Sequence, residues 1–299
     1  MLSSVKVRIA VAPGPGTLER ASLIDLVDGL EAREFDTIWL SDVPLAPTTD
    51  PLVALSFAAG RTERLKLGAN VVPIGRNPIL LAKALAQLDQ LSAGRLLLSF
   101  VPGLDQRGER EALGIGPRER GSYLEEVIPL IRRWWAGETI EHHSARFTFP
   151  DIKVRPLPVQ QPLEIWLGGI GPAALDRVGR LADGWLGAAV SATEAGAARA
   201  RIDAAARAAG RTIDPEHHGL SIPYAHAKPD PATVAAIQAR RPDADVADLL
   251  PVGRSALRGL LGQLVDQGLS KFVLRPTTTV TSWTDELDWL ADAVLDLQA

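Results

Sequence analysis

The sequence predicts a closed (β/α)8 barrel, the TIM-barrel fold. Eight short runs of aliphatic and β-branched residues alternate with eight longer segments of helical periodicity, which is the pattern of repeated βα units on a parallel sheet. Eight strands that are each followed by one helix make the number that closes such a barrel. An open doubly wound sheet has the same alternation, so counting elements alone leaves that fold as the alternative.

The apolar runs have the length and composition of buried parallel strands. Segments such as LLLSF (96–100) and IWLGG (165–169) are apolar at consecutive positions, as expected for strands that are covered on both faces. The predicted strands are residues 5–12, 37–40, 65–72, 96–101, 163–167, 184–188, 219–225 and 271–275.

The segments between the strands carry apolar residues at helical spacing. Asn77 is expected to cap the third helix, and Pro172 is suited to the first position of the fifth, where its missing N–H costs nothing. The predicted helices are residues 18–34, 51–59, 78–91, 122–136, 172–181, 192–209, 254–267 and 283–297.

Two segments do not fit the repeat and are predicted to be insertions. Residues 137–161 follow the fourth helix and have the pattern of a strand pair with a proline-rich return. Residues 228–252 lie between the seventh strand and the seventh helix and contain a short helix. No Gly/Ser-rich hinge divides the chain, so residues 1–299 are predicted to form one domain.

Composition excludes several classes of function. The 32 Lys and Arg residues against 36 Asp and Glu residues leave a formal charge of −4, without the basic excess that binds nucleic acid. The absence of cysteine excludes disulfides, thiolate metal sites and a cysteine nucleophile. No apolar run reaches the roughly 18 residues that span a bilayer, and the apolar start is too short for a usual signal peptide. We expect a soluble, cytoplasmic protein that binds neither nucleic acid nor membrane.

Metal chemistry and common hydrolase mechanisms lack a sequence basis. The five histidines are two adjacent pairs plus His226, and adjacent residues on a strand point to opposite faces. The nucleophile elbow G-x-S-x-G, the P-loop and H-E-x-x-H are all missing. We therefore predict no metal site.

The loop after the fifth strand is the strongest candidate for binding an anion. Gly168, Gly169 and Gly171 let backbone N–H groups approach a ligand just ahead of the helix that starts at Pro172, where the helix dipole favours negative charge. These glycines are predicted to bind a phosphate. The alternative is a tight βα turn that binds nothing.

Three further side chains stand at predicted strand ends, where a barrel builds its active site. Asp42 could accept hydrogen bonds from a ligand ring or cap the turn that follows. Arg275 suits an anionic ligand or a salt bridge at the rim, and His226 is a candidate proton donor. Asp42 and His226 are the candidate catalytic residues.

A resemblance to a known family rests on eight segments in order along nearly the whole chain. Taken together they resemble the bacterial luciferase-like monooxygenase superfamily of flavin and deazaflavin oxidoreductases, in the style of its coenzyme F420-dependent subgroup. The segments are EFDTIWLSD (34–42), RTERLKLGANVVPIGRNPILLAK (61–83), LDQLSAGRLLLSFVPG (88–103), EALGIGPRERG (111–121), WWAGETI (134–140), QPLEIWLGG (161–169), GRLADGWL (179–186) and VDQGLSKFVLRP (265–276).

The resemblance implies a (β/α)8 barrel with a deazaflavin or flavin ring at its mouth. The ring would lie over a bulge at the end of the third strand, often at a non-prolyl cis peptide, and the matching bond is Asn70–Val71. Asp42 matches the acidic residue of the family's Ser-Asp-His signature. The other residues implied to contact the cofactor are Val101, Pro102, Gly103, Gly168, Gly169, Ile170 and Gly171.

The sequence departs from that family pattern at three positions. Val43 replaces a histidine that transfers protons in many relatives, and Leu104 replaces the glutamate of sugar-phosphate dehydrogenases. Pro102 replaces an arginine of the FMN-type luciferases, which favours F420 over FMN. We predict Val43, Leu104 and Arg275 as substrate contacts.

The predicted function is hydride transfer between F420 and a small organic substrate at the barrel mouth. His226, Tyr224 or water would supply the proton. The alternatives are an FMN-dependent monooxygenase with a separate reductase, a cofactor-binding relative without turnover and, last, a metal-dependent barrel hydrolase. The apolar second and third helices suggest a homodimer, although core packing explains them equally well.

Overall fold

A computed structural model, which describes residues 6–104 and 107–298, has ten strands. Eight of them form a closed parallel barrel in the order β1-β10-β9-β8-β7-β4-β3-β2, and β5 pairs with β6 in an antiparallel hairpin. The strands are β1 (Arg8–Val11), β2 (Thr37–Ser41), β3 (Lys66–Val71), β4 (Leu96–Phe100), β5 (Thr139–His143), β6 (Thr148–Lys153), β7 (Trp166–Leu167), β8 (Gly184–Ala188), β9 (His218–Tyr224) and β10 (Lys271–Pro276). The closed barrel confirms the predicted fold and excludes the open sheet.

The helices surround the barrel. Asn77 accepts hydrogen bonds from the backbone N–H of Ile79 and Leu80, which confirms it as a cap, and Pro172 begins its helix as predicted. The helices are α1 (Arg20–Ala32), α2 (Pro51–Ala59), α3 (Pro78–Leu91), α4 (Arg107–Leu113), α5 (Pro117–Trp135), α6 (Pro172–Leu181), α7 (Ala192–Ala208), α8 (Pro231–Arg240), α9 (Val246–Leu249), α10 (Arg254–Asp266) and α11 (Trp283–Val294), followed by a 3-10 turn (Leu295–Leu297).

The structure differs from the predicted elements in three places. Helix α4 was not predicted, and α5 begins at Pro117 rather than at residue 122, because the polar and glycine-rich stretch between them hides the helical period. The predicted strand 163–167 pairs only over Trp166–Leu167. The second insertion contains two described helices, α8 and α9, instead of one.

Two tryptophans fill the inside of the barrel. Trp39 on β2 and Trp166 on β7 belong to a small buried cluster of residues that alternate with the outer core along the strands. A Cβ atom at Gly68 would overlap the Trp39 ring, and one at Gly184 would overlap the Trp166 ring. The interior is thus packed core, and a ligand site has to lie above it, at the ends of the strands.

The two insertions attach at different sides. The β5–β6 hairpin packs on α5, where the rings of Trp134 and Phe149 are 5.3 Å apart. The second insertion is fastened by Arg241, which donates to Ala189 O and, at 2.6 Å, to Glu194 Oε1 beyond the end of β8. Helix α8 itself has no buried residue. Within the described ranges, no helix combines the length and the apolar character needed to cross a membrane.

Candidate functional site

Asp42 fixes the loop that follows β3. Its side chain is buried at the end of β2, and its Oδ2 accepts hydrogen bonds from the backbone N–H of Val72 at 3.1 Å and from Arg76 Nη2 at 2.8 Å. Arg76 Nη2 also reaches Asp50 Oδ2 at 3.3 Å. The carboxylate of Asp42 therefore joins the ends of two neighbouring strands and is already paired with a cation.

The peptide bond Asn70–Val71 is not cis, so the implied cis peptide is wrong. The cis bonds found in the described ranges precede Pro156 and Pro162. Asn70 and Val71 pair in unbroken register with Ser99 and Phe100, without the implied bulge. The chain turns later, at Gly75 with φ +79°, because the β3–β4 ladder and the bond from Val72 to Asp42 hold the strand extended to its end.

Arg275 lies in the mouth of the barrel without a counter-charge. It donates from Nη1 to Pro13 O at 3.2 Å and from Nη2 to Ser41 Oγ at 3.1 Å, and Ser41 Oγ also accepts from Asn70 Nδ2 at 3.0 Å. No carboxylate lies within 4 Å of the guanidinium among the residues that the structure describes. Burial lowers the pKa of Arg275, yet its residue stays partly accessible to solvent. The guanidinium of Arg275, which has no carboxylate partner, is therefore a candidate binding site for an anion.

The glycine loop after β7 presents free N–H groups. Gly169 has φ +106°, and its carbonyl accepts from Trp185 Nε1 at 2.9 Å, which fixes the turn. The backbone N–H groups of Gly169, Ile170 and Gly171 donate no hydrogen bond within the described part of the chain. All three residues are exposed, directly ahead of α6. This is the geometry that the sequence predicted for an anion-binding loop.

A cavity of about 410 Å³ opens beside that loop. It lies between the end of β4, the start of α5 and the start of α6, and three arginines reach it. Its lining residues are Pro102, Gly103, Pro117, Arg118, Arg120, Gly121, Leu124, Leu167, Gly168, Gly169, Ala173, Ala174 and Arg177.

The arginines of this cavity are held in different ways. Arg120 is buried and donates from Nη1 to Pro102 O at 2.9 Å and to Leu104 O at 2.8 Å, while its Nε and Nη2 have no hydrogen-bond partner among the described residues. Arg177 Nε donates to Glu125 Oε1 at 3.0 Å. Arg118 is exposed and forms no ion pair with any described residue. The unused donors of Arg120 and the unpaired charge of Arg118, beside free backbone N–H groups, fit a phosphate.

Sequence reasoning missed Arg118, Arg120 and Arg177. The first two stand in the segment GPRERG (116–121), whose charge resembles that of an ordinary solvated helix start. Arg177 lies more than one turn into α6, and Gly121 makes room for its guanidinium, since a Cβ there would overlap it. Only the packing of α5 against α6 brings the three together.

The predicted substrate contacts Val43 and Leu104 stand at the mouth, at the ends of two different strands. Val43 follows Asp42 and is half-buried. Leu104 is half-buried as well, and its carbonyl accepts from Arg120. Both side chains are apolar, so neither can exchange a proton.

The structure places His226 in a separate cluster between β9 and α11. Its Nε2 is 3.0 Å from Glu286 Oε1, and its ring stacks on Trp289 with centroids 4.2 Å apart. Tyr224 donates its hydroxyl to the same Glu286 oxygen, and burial followed by that carboxylate raises the pKa of Tyr224. Among the described residues, His226 contacts neither Asp42 nor Arg275, because its ring faces α11 together with the ring of Tyr224.

Comparisons with known proteins identify the family of the chain. The family model described as luciferase-like monooxygenase matches residues 1–251. F420-dependent glucose-6-phosphate dehydrogenase of Kineococcus radiotolerans is 30% identical over 177 residues, 55% of this chain and 51% of that protein. FMNH(2)-dependent dimethylsulfone monooxygenase of Pseudomonas putida is 35% identical over 126 residues, 41% of this chain and 34% of that protein. The chain thus spans about half or less of the length of these curated relatives.

The fold is shared with solved structures of distant sequence. The monooxygenase RslO1 from Streptomyces bottropensis superposes with a TM-score of 0.80 at 18% identity, over 98% of this chain and 100% of that one. Since the family model covers most of the chain and the barrel has the same fold, the chain belongs to the luciferase-like monooxygenase family, which includes both F420-dependent oxidoreductases and FMN-dependent monooxygenases.

Proposed function

We propose that the protein is an oxidoreductase that uses coenzyme F420 to transfer a hydride to or from a small organic substrate at the mouth of its barrel. The observation that carries this proposal is the cavity between α5 and α6, where Arg120 Nε and Nη2 are buried without partners beside free backbone N–H groups. When bound, the cofactor supplies the carbon that gives or takes the hydride.

The phosphate end would be held by two kinds of donor. Gly169, Ile170 and Gly171 offer backbone N–H groups at the start of α6. Arg118 and Arg120 on α5 and Arg177 on α6 supply positive charge around the cavity. Of these, Arg120 also anchors the carbonyls of Pro102 and Leu104, so the bound phosphate and the loop after β4 would share one guanidinium.

The ring end would be held at the ends of β3 and β4, which are neighbours in the barrel. Asn70 and Val71 end β3, and Val101, Pro102 and Gly103 follow β4. We assign Asp42 to positioning, because its carboxylate is occupied by Val72 N–H and Arg76. His226 does not take the proton-transfer role in this proposal, since its contacts lie with α11.

FMN is the second candidate cofactor, and a specific observation favours it. Pro102 stands where the FMN-type relatives are expected to have an arginine, which argued against FMN. However, the Arg120 guanidinium reaches the same loop from α5, 2.9 Å from Pro102 O. A positive charge is therefore present at this loop, although α5 supplies it. The absence of an arginine at position 102 consequently does not exclude FMN.

Titration of the purified protein with F420 and with FMN, each oxidised and reduced, tests the proposal. We expect saturable binding of F420 and a rise in melting temperature, since a ligand that binds only the native state stabilises it. Tighter binding of FMN than of F420, with oxygen consumption that differs from that of free FMNH₂ without protein, would select the monooxygenase instead. Absence of binding by both cofactors would remove the proposal.

We also infer that the protein acts as a cytoplasmic homodimer. Val53 on α2 and Leu80 and Leu91 on α3 are exposed apolar side chains on adjacent helices. Light scattering on the purified protein, whose chain mass is 32.0 kDa, would distinguish a dimer from a monomer.

A further inference from the structure

A layer of polar side chains crosses the floor of the barrel mouth, away from the phosphate cavity. Arg275 on β10 is bonded to Ser41 on β2, and Ser41 to Asn70 on β3. Ser99 pairs with Asn70 in the ladder, and its Oγ is fully buried without a partner. Asn70 Oδ1, which can only accept, is likewise buried and unpaired. The layer thus holds one hydroxyl donor, Ser99 Oγ, and one amide acceptor that nothing in the described chain uses.

The guanidinium of Arg275 has unused donor capacity. A guanidinium carries five N–H groups. Two of those of Arg275 go to Pro13 O and Ser41 Oγ, and the neighbouring acceptors are neutral. Burying a charge without a partner of opposite sign is costly, so a cation in this position is best explained by a ligand that brings the negative charge.

A second arginine approaches from above. Arg240 ends α8, exposed and without an ion pair to any described residue, and its charge adds to burial in lowering the pKa of Arg275. The next residue, Arg241, is bonded to Ala189 O and Glu194, which fixes this end of α8 over the ends of the barrel strands. The bonds of Arg241 thus place the neighbouring Arg240 on the side of the barrel mouth beyond the end of β8.

A guanidinium edge presents two parallel N–H groups that match two oxygens of a carboxylate or of a phosphate. The free backbone N–H groups suited to a phosphate lie at the separate loop before α6, so we assign the carboxylate to the mouth. The other side chains at the mouth, Val43 and Leu104, are apolar and half-buried. The matching molecule is a monocarboxylic acid with an apolar body.

We propose that the substrate is an organic carboxylate whose charged group binds between Arg275 and Arg240. That the bound acid is a substrate rests on the proposed function. That an anion binds here is argued from the residues of the mouth alone. Arg240 and Arg275 would be specificity-determining residues, and α8 would supply one of them.

The test uses three probes of equal chain length, hexanoate, hexanamide and hexyl phosphate, measured by calorimetry with and without F420 and FMN. We expect hexanoate to bind at least about tenfold more tightly than hexanamide, because a hydrogen bond between two charged groups is stronger than one from a charged group to a neutral amide. Arg275→Gln and Arg240→Gln should each weaken hexanoate binding by about tenfold or more. Arg207→Gln is the matched control, because Arg207 is exposed on α7 and has no ion pair among the described residues.

Three outcomes would overturn the proposal: equal binding of hexanoate and hexanamide, unchanged affinity in both arginine variants, or hexyl phosphate binding much more tightly than hexanoate. If Arg275→Gln does not fold, the exposed Arg240→Gln variant decides. Cofactor affinity should stay at the wild-type value in the Arg240→Gln variant, because Arg240 is exposed on α8 and has no bond to the residues assigned to the cofactor. A wild-type protein that binds hexanoate but neither cofactor would contradict the proposed function and leave the anion site in place.

Discussion

At the scale of residues, Arg120 combines two tasks that other arginines of the cavity do not share. It ties the loop after β4 to α5 through Pro102 O and Leu104 O, and it keeps Nε and Nη2 free for a ligand. Its partner charge is Glu109, with Oε1 at 3.8 Å, and both side chains are almost fully buried. Loss of Arg120 would leave a carboxylate alone in the protein interior.

Replacement of Arg120 should therefore reduce stability and cofactor binding together. We expect Arg120→Gln to lower the free energy of unfolding by about 3–5 kcal/mol, the usual effect of breaking a buried ion pair. Denaturant unfolding and cofactor titration measure the two effects. Arg118→Gln is the control: its side chain is exposed, so it should weaken cofactor binding in a salt-dependent way without a change in stability. A stable Arg120→Gln variant with normal affinity would contradict this account.

At the scale of elements, the turn from β7 into α6 depends on one glycine. Gly169 adopts φ +106°, and a Cβ atom there would be 2.8 Å from the Cβ of Ala174. The bond from Trp185 to Gly169 O holds the turn against β8, so the strand and helix cannot move apart to make room. Backbone strain and overlap act at the same position.

Gly169→Ala should therefore lower the free energy of unfolding by about 1–3 kcal/mol and weaken cofactor binding. Gly171→Ala is the matched control, because Gly171 has φ −71° and open space around it, and its stability should change by less than about 1 kcal/mol. Thermal and denaturant melts of both variants measure the difference. Equal effects in the two would mean that the turn is not strained.

At the scale of the whole molecule, a buried histidine links stability to pH. His218 is fully buried at the start of β9, and neither ring nitrogen has a hydrogen bond. Burial, and then the charge of Arg199, lowers the pKa of His218 to about 4. Asp203 Oδ1 is 3.6 Å from Nε2, too far to compensate. The unfolded chain, with a pKa near 6.5, takes up this proton first.

The free energy of unfolding should consequently fall as pH decreases from about 6.5 to about 4, and His218 should account for up to about 3 kcal/mol of this loss. Above about pH 6.5 the titration of His218 should no longer change the free energy of unfolding. Replacing His218 by Leu should flatten that slope, whereas His143→Gln, an exposed change on β5, should not. Denaturant unfolding between pH 7 and pH 5 compares them, above the range where most carboxylates titrate. An unchanged slope in His218→Leu would show that other groups cause the pH dependence.

The fold was predictable because it is written in local patterns. The alternation of strands and helices predicted the barrel. Gly168–Gly171 with Pro172 predicted a turn with exposed N–H groups ahead of α6, since that signal lies within one stretch of chain. The arginine cluster joins α5 to α6, and no spacing along the sequence predicts that contact. The direction of His226 depends on Trp289 and Glu286, about sixty residues away. Residue identity predicted a proton donor, but packing decided where its ring points.

The two indole rings inside the barrel have a kinetic consequence. Trp39 and Trp166 separate one end of the barrel from the other, so a small molecule at the mouth has to depart on the side from which it arrived. That side is the one to which Arg241 fastens the second insertion. Loosening this attachment should also release Arg240 from its position, so departure should accelerate more than arrival, and turnover limited by release would rise while equilibrium affinity falls.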